Sequence, residues 1–209
     1  MLSLLLALAL GVVTTCASAL PERRLDAAFI KGRVNVSAQL DFLAEGAEQL
    51  TIEQVVADLS RPGLAWQQNH TGNPGFGFSM TPHWFRLAVY NSTQRTLEWL
   101  LEIRNPVLDD VLFYQIDPDG FIVNVARTGD ANPTSEWPYF HHNLILPFSV
   151  PAGQTHYLYF RVTTEGSMEF PLEMWEPEAF QQRDQIQLLF YGALFGILVV
   201  MGFYNFFIY

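Results

Sequence analysis

The last 22 residues of the chain, residues 188–209, contain no Asp, Glu, Lys or Arg. An α-helix rises about 1.5 Å per residue, so about 20 apolar residues can cross the roughly 30 Å hydrocarbon core of a bilayer. The run therefore predicts a membrane-spanning helix. Because no Lys or Arg follows it to anchor the far side, we expect the chain to be the first part of a longer membrane protein, with an exported domain in front of the helix.

The first 19 residues predict a secretory signal peptide. Residues 4–13 form a short apolar stretch, and Ala17, Ser18 and Ala19 follow it with the small-x-small pattern of a cleavage site. An uncleaved anchor is the alternative, although so short a stretch does not span a bilayer comfortably. Cleavage would remove Cys16, the only cysteine, so the mature protein would depend on packing and not on disulfides.

Alternating apolar and polar side chains in residues 83–162 predict six β-strands. Turn sequences rich in Gly, Pro, Asn and Asp separate the strands, and no helical pattern lies between them. This pattern favours a mainly β fold, an antiparallel β-sandwich of jelly-roll type. Upstream, Thr51 is a candidate cap for a short helix that follows one or two strands.

We expect four segments along the chain. They are a signal peptide at residues 1–19, the sandwich domain at 20–180, a juxtamembrane linker at 181–187 and the membrane helix at 188–209. The linker is short and Pro177 lies just before it. We therefore expect it to allow little independent movement between the domain and the helix.

Charge and motifs argue against several classes of function. The formal net charge of −10 disfavours nucleic acid and anionic membrane surfaces as partners. No metal site or cofactor is predicted, because His141 and His142 would point to opposite faces of a strand and the other histidines lack ligand spacing. The turn that starts at Asp117 resembles a calcium loop but lacks its later acidic ligand, so a hairpin is expected. Without a G-x-S-x-G motif or a mature cysteine, we expect no enzymatic activity.

Strand alternation also predicts where a ligand would bind. Trp84 and Arg86 should lie opposite the core side of their strand, and the same alternation places Glu102 and Arg104 on one face of the next strand. We expect these side chains to share one exposed sheet surface with a nearby tyrosine, because saccharides are held by aromatic faces and a few polar groups. Ordinary cross-strand ion pairs and half-buried aromatics are the alternative.

Trp137 is a second candidate, in a long loop at the end of the sandwich, with a plug over the core as its alternative role. The full set of predicted ligand-binding residues is Trp84, Arg86, Glu102, Arg104, Tyr114 and Trp137.

The order of several motifs resembles that of a known family. The motifs are HWFRL at 83–87, LLEIRNPVLD at 100–109, TGD at 128–130, NLILP at 143–147, FPLEMWEPEAF at 170–180 and FYGALFG at 190–196. In this order they are similar to the extracellular sensor domain and first membrane helix of bacterial receptors with seven transmembrane helices and diverse intracellular signalling modules. The resemblance covers about residues 81–209.

The resemblance implies a jelly-roll sensor domain similar to carbohydrate-binding modules. It places that domain in the periplasm, attached to the bacterial inner membrane, with a histidine kinase or diguanylate cyclase beyond this chain. The expected partners are a small polar ligand such as a carbohydrate, the membrane, and a second copy of the chain as a candidate homodimer. A non-catalytic structural or dimerisation module anchored in the membrane is the alternative function.

Overall fold

A computed structural model describes residues 23–46, 49–59 and 63–209, so the predicted signal peptide lies outside the described residues. The described part contains thirteen β-strands and two α-helices. The strands are β1 Arg24–Asp26, β2 Arg33–Asn35, β3 Asp41–Ala44, β4 Gln67–Gln68, β5 Gly75–Phe78, β6 His83–Tyr90, β7 Leu97–Ile103, β8 Asp110–Ile116, β9 Ile122–Thr128, β10 Leu144–Val150, β11 Thr155–Thr163, β12 Ser167–Glu169 and β13 Leu172–Trp175. The helices are α1 Ile52–Ala57 and α2 Pro177–Ile208.

Two sheets form the body of the molecule. The larger sheet has the order β4-β3-β6-β11-β8-β9, and β1 joins it by a parallel pairing with β6. The smaller sheet has the order β10-β7-β13-β2, and β5 pairs with β12 in a separate ribbon. Successive strands change sheet at β6 to β7, β7 to β8, β9 to β10 and β10 to β11, a connectivity typical of jelly rolls.

The main core lies between the two sheets. Phe85, Leu87 and Val89 of β6 face it from the larger sheet, and Leu101 and Ile103 of β7 face it from the smaller one. All five side chains are buried, as the alternation in the sequence predicts. The structure thus confirms the fold class: antiparallel sheets packed as a sandwich, followed by an apolar helix.

The short helix α1 covers the outer face of the larger sheet. Thr51 caps it through a capping box, because the Thr51 hydroxyl accepts from the Gln54 backbone N–H and the Gln54 side chain accepts from the Thr51 N–H. Ile52 and Val55 face inward and pack against a second buried cluster that includes Trp84. The predicted cap at Thr51 is therefore confirmed, and the helix has a packing role that the sequence pattern did not reveal.

The hairpin predicted at Asp117 is confirmed between β8 and β9. An Asp117 carboxylate oxygen accepts hydrogen bonds from the backbone N–H groups of Asp119 and Phe121, at 3.0 and 2.8 Å. Gly120 has φ +89°, a left-handed conformation that glycine adopts without strain.

The helix α2 is continuous over 32 residues, and its apolar part is long and hydrophobic enough to cross a membrane. Pro177 occupies its first turn, where the missing N–H costs no helical hydrogen bond. Residues 181–187, the expected linker, are further turns of the same helix.

Candidate functional site

Trp84, Arg86 and Tyr114 lie on the outer face of the larger sheet, as alternation predicts, but they do not form an exposed surface. Trp84 is 1% exposed and Arg86 is 7% exposed. The cover is α1 with its flanking segments, which pack on this face of the sheet. The expected open platform is wrong in this respect, because strand alternation assigns a side chain to a face but does not show what covers that face.

The buried Arg86 is held by two carboxylates and a ring. Its Nε donates to Asp41 Oδ2 at 3.0 Å, and its Nη1 lies 3.6 Å from Asp58 Oδ2. The guanidinium carbon lies 4.4 Å from the centre of the Trp66 ring, and the Trp66 indole N–H donates to the same Asp58 carboxylate at 3.0 Å. Asp58 also accepts the backbone N–H of Leu64, so the network ties the segment after α1 to the sheet.

Trp84 belongs to a neighbouring network on the same face. Its indole N–H donates to Glu45 Oε1 at 2.6 Å, and Arg161 binds both oxygens of Glu45 at 2.7 and 2.9 Å. Tyr114 stacks on Trp84 with the ring centres 6.3 Å apart, and burial raises the pKa of the Tyr114 hydroxyl. Beside them the buried Tyr159 hydroxyl has no hydrogen-bond partner among the described residues, and burial also raises its pKa. These contacts fix the cover in place.

Glu102 lies on the other sheet and Arg104 directly follows its strand β7, so the expectation that they share one surface with Arg86 is wrong. β6 and β7 are consecutive in the chain but belong to opposite sheets, and their outer faces point in opposite directions. The Arg104 side chain is half exposed and bonds Glu173 at 3.2 Å. Strand order is a tertiary property that the alternation in the sequence does not contain.

Glu102 is fully buried and bonds the helix α2. Arg183 donates to both of its carboxylate oxygens at 3.0 and 2.8 Å, and the Asn143 amide donates to Oε1 at 2.6 Å. The Arg183 guanidinium also lies 4.6 Å from the Trp175 ring and 4.7 Å from the Phe180 ring. We call this set, Glu102, Asn143, Trp175, Phe180 and Arg183, the helix clasp. Sequence reasoning missed its central contact, because Glu102 and Arg183 are 81 residues apart.

The contacts of Trp137 agree with its alternative role as a plug over the core. The ring is half-buried and packs against the main core, and its indole N–H donates to the Asn132 backbone carbonyl at 3.2 Å.

The described residues enclose a cleft of about 690 Å³ at a different place, beside the edge of the smaller sheet. β7 and β10 contribute one wall, the β8–β9 hairpin and the start of β11 contribute another, and the first turns of α2 close one end. Its lining residues are Glu98, Trp99, Leu100, Gln115, Asp117, Val123, Asn124, Tyr139, Pro147, Phe148, Ser149, Pro151, Gln154, His156, Pro177 and Gln181. None of the six predicted ligand-binding residues is among them.

Amide groups and one histidine give the cleft its polar character. The Gln115 amide donates to the Ser149 carbonyl at 2.6 Å and lies 2.7 Å from His156 Nδ1, and His156 Nε2 lies 3.0 Å from the Gln154 side chain. Burial lowers the pKa of His156, so its ring is neutral at pH 7. The charged lining residues are Glu98 and Asp117, both acidic. Such a lining suits a neutral polar ligand better than an anion.

The cleft is also lined by the first turns of α2, which the sequence assigns to the domain and the linker, in front of the membrane helix. Pro177 and Gln181 line it from α2, and Tyr139 lines it from a loop that packs on Phe180. Sequence reasoning missed this site because its residues come from six separate elements, β7 to β11 and α2, and from the loops between them, and form no local motif. The described residues contain no group of three or more His, Cys, Asp or Glu able to hold a metal ion.

Comparison with known proteins gives one family. The model of the family described as 7TMR-DISM extracellular 2 matches residues 37–176, which end one residue before α2 begins. No curated protein matches the chain.

Proposed function

Because the chain belongs to the 7TMR-DISM extracellular 2 family, a family of sensor domains of membrane receptors, we propose that it binds a small polar ligand and relays binding to its membrane helix. The family's extracellular domains are non-catalytic. The proposed ligand is a saccharide or a similar neutral molecule, held in the cleft. The proposed location is the periplasmic side of a bacterial inner membrane, with the signalling output on the opposite side and beyond residue 209.

One observation carries this proposal: the cleft is lined both by the sandwich and by the first turns of α2. A ligand in it would contact the sheet edge through Gln115 or Asn124 and the helix through Gln181. The binding energy of the ligand would therefore differ between two arrangements of the helix on the sandwich. A ligand shifts the equilibrium between two arrangements only when it binds one of them more tightly than the other.

The chemistry of the lining supports a saccharide. The amide side chains of Asn124, Gln154 and Gln181 can both donate to and accept from hydroxyl groups, and Tyr139 offers an aromatic face. Gln115 can only accept, because both of its N–H groups are already bonded to Ser149 and His156. The volume of about 690 Å³ lies within the range of small-molecule sites, which is about 300–1,000 Å³. The acidic side chains of Glu98 and Asp117 would repel phosphorylated or carboxylated compounds.

A ligand role for Trp84, Arg86, Glu102, Arg104, Tyr114 and Trp137 stays a prediction of the sequence. For Trp84 and Arg86 it would require α1 and its flanks to move off the sheet, against the bonds from Asp58 and Glu45. The cleft needs no such rearrangement, so we place the ligand there.

The test is a binding screen with the full chain in phosphatidylcholine nanodiscs. Neutral mono- and disaccharides and envelope-derived sugar fragments are the probes, and isothermal calorimetry gives the dissociation constants. Gln181→Trp fills the cleft from the helix side, whereas Gln182→Trp changes the adjacent exposed residue, which does not line the cleft. We expect a saccharide whose affinity falls at least about tenfold, about 1.4 kcal/mol, only in Gln181→Trp.

Equal affinities in the two variants would place the ligand elsewhere. Failure of every saccharide to bind the unmodified chain would favour the alternative, a structural or dimerisation module without a ligand.

A further inference from the structure

The loop of residues 138–142 runs along α2 toward its apolar end. The Tyr139 ring packs at right angles on Phe180, with the ring centres 5.9 Å apart. Two residues later, His141 Nε2 lies 3.1 Å from Asp184 Oδ1, one helical turn closer to the uncharged run. The chain then turns back into β10 at Leu144. The part of the loop nearest the apolar run is therefore Phe140 to His142.

This part of the loop lies at the level expected for lipid headgroups. The uncharged run begins at Leu188, four residues after Asp184, which corresponds to about 6 Å along the helix axis. The polar layer on each side of a bilayer is about 5–7 Å thick. When the uncharged run fills the hydrocarbon core, Asp184 and the residues beside it are at the headgroups.

Phe140 is 87% exposed at this place. Its neighbours on either side, Tyr139 and His141, contact α2 and hold the loop, so the Phe140 ring extends away from the protein. Single exposed Phe residues are common on soluble surfaces, and Phe78 is equally exposed in the ribbon of β5 and β12. The position of Phe140 beside the membrane helix, and not its exposure alone, identifies its partner.

We propose that Phe140 inserts into the interfacial layer of the bilayer and gives the domain a second membrane contact beside α2. The contact is apolar, with zwitterionic lipid as its partner, because the acidic chain would gain nothing from anionic lipid. Asp184 does not oppose it, since its carboxylate is paired with His141 and lies 3.6 Å from Arg183 Nη2. A single helix would let the domain tilt on the membrane, whereas two contacts restrict that tilt. The inference requires α2 to cross the membrane but does not depend on any ligand.

Nitroxide depth measurements on the full chain in phosphatidylcholine nanodiscs test this contact. The background is Cys16→Ser, and single labels are placed by Phe140→Cys, Phe78→Cys and Leu198→Cys. We expect the label at 140 to be protected from a water-soluble nickel relaxant and reached by oxygen, the label at 78 to be fully accessible to nickel, and the label at 198 to be deepest.

A further pair keeps the native aromatic. A label introduced by His142→Cys should lose depth when Phe140→Ser is added. The inference is overturned if label 140 matches label 78 while label 198 reads deep. It also fails, together with the membrane role of α2, if label 198 is accessible to nickel.

Discussion

Arg86 is a cation enclosed by the protein, with Asp41 and Asp58 as its partners and the Trp66 ring beside it. Arg86→Ala would leave both carboxylates buried without a counter-charge. Breaking a buried pair in this way costs about 3–5 kcal/mol. We expect the free energy of unfolding to fall by about that amount, measured by denaturant titration with tryptophan fluorescence.

Arg95→Ala is the control, because Arg95 is exposed and exposed substitutions usually change stability by less than about 0.5 kcal/mol. If Arg86→Ala were as mild as Arg95→Ala and weakened ligand binding instead, the predicted binding role of Arg86 would gain support over the packing role.

Gly129 is a position where only glycine fits. Its φ is +125°, and an added Cβ would meet the Asp109 carbonyl, with the Asp109 carbonyl carbon at 2.8 Å and Asp110 Cα at 2.9 Å. Gly153 also has a positive φ, +70°, but a Cβ there would meet nothing within 4 Å. Gly153→Ala incurs only the penalty of the left-handed region, about 1–2 kcal/mol, whereas Gly129→Ala combines a φ outside that region with the collision against the backbone.

We expect Gly129→Ala to lower the midpoint of thermal unfolding clearly more than Gly153→Ala does. Equal midpoints would mean that the loop between β9 and β10 moves without any loss of thermal stability. The close approach of Gly129 to Asp109 would then not fix the position of that loop.

At the scale of elements, the sequence predicted the strands but did not predict that α1 and its flanking segments cover the larger sheet. The six runs between His83 and Val162 correspond to β6 to β11, because a strand buried on one side imposes a period of two on its own residues. The residues of α1 that cover Trp84 belong to another segment of the chain, so they leave no periodic pattern in the sequence of β6. A Trp and an Arg on the outward side of a strand therefore looked exposed until the position of α1 was known.

The cleft shows the same limit for sites. His156 follows Gln115 by 41 residues, and Gln181 follows His156 by 25 residues. Each of the three is an ordinary polar residue in its own element. They line one cleft only because β8 and β11 are paired and α2 leaves the sandwich beside β10 and β7. The sequence could predict a polar sensor surface but not its place.

The helix clasp joins α2 to the smaller sheet through one buried charge pair. Arg183→Ala would leave the fully buried Glu102 with only the Asn143 amide among its observed partners, at a cost of about 3–5 kcal/mol. Glu102→Gln together with Arg183→Gln removes both charges and keeps polar groups in the site. We expect the double variant to be more stable than Arg183→Ala, measured by thermal unfolding of the full chain in nanodiscs.

Arg104→Ala serves as the comparison, because Arg104 is half exposed and its buried partner Glu173 keeps a second cation, Arg33, at 3.7 Å, so we expect a smaller loss of stability. If Arg183→Ala resembled Arg104→Ala, the pair would not hold the helix, and the relay would have to act through the cleft alone.

At the scale of the whole molecule, the sandwich and the helix share one packed junction. The family match ends at residue 176, yet Phe180 of α2 is fully buried against Leu100, Ile145 and Trp175 of the smaller sheet. The unit that folds therefore extends into the helix. The proposed relay requires a rigid junction of this kind, because a flexible linker would absorb a change in the cleft before it reached the membrane segment.

Two fragments, residues 20–176 and residues 20–187, test whether the junction is part of the folded unit. Both stop before the uncharged run and both keep the hydrogen bonds of Glu176 with Gly32. Only the shorter one loses Phe180 and Arg183. Loss of a buried Phe costs about 3–5 kcal/mol, and the uncompensated Glu102 adds to it without strict additivity. Since domains are stable by only about 5–15 kcal/mol, we expect the shorter fragment to be at best marginally folded, as measured by circular dichroism on heating.

Gln182→Ala in the longer fragment should change nothing, because that residue is exposed. Equal midpoints for the two fragments would show that the sandwich folds without the helix, and a relay through a rigid joint would then lack its physical basis.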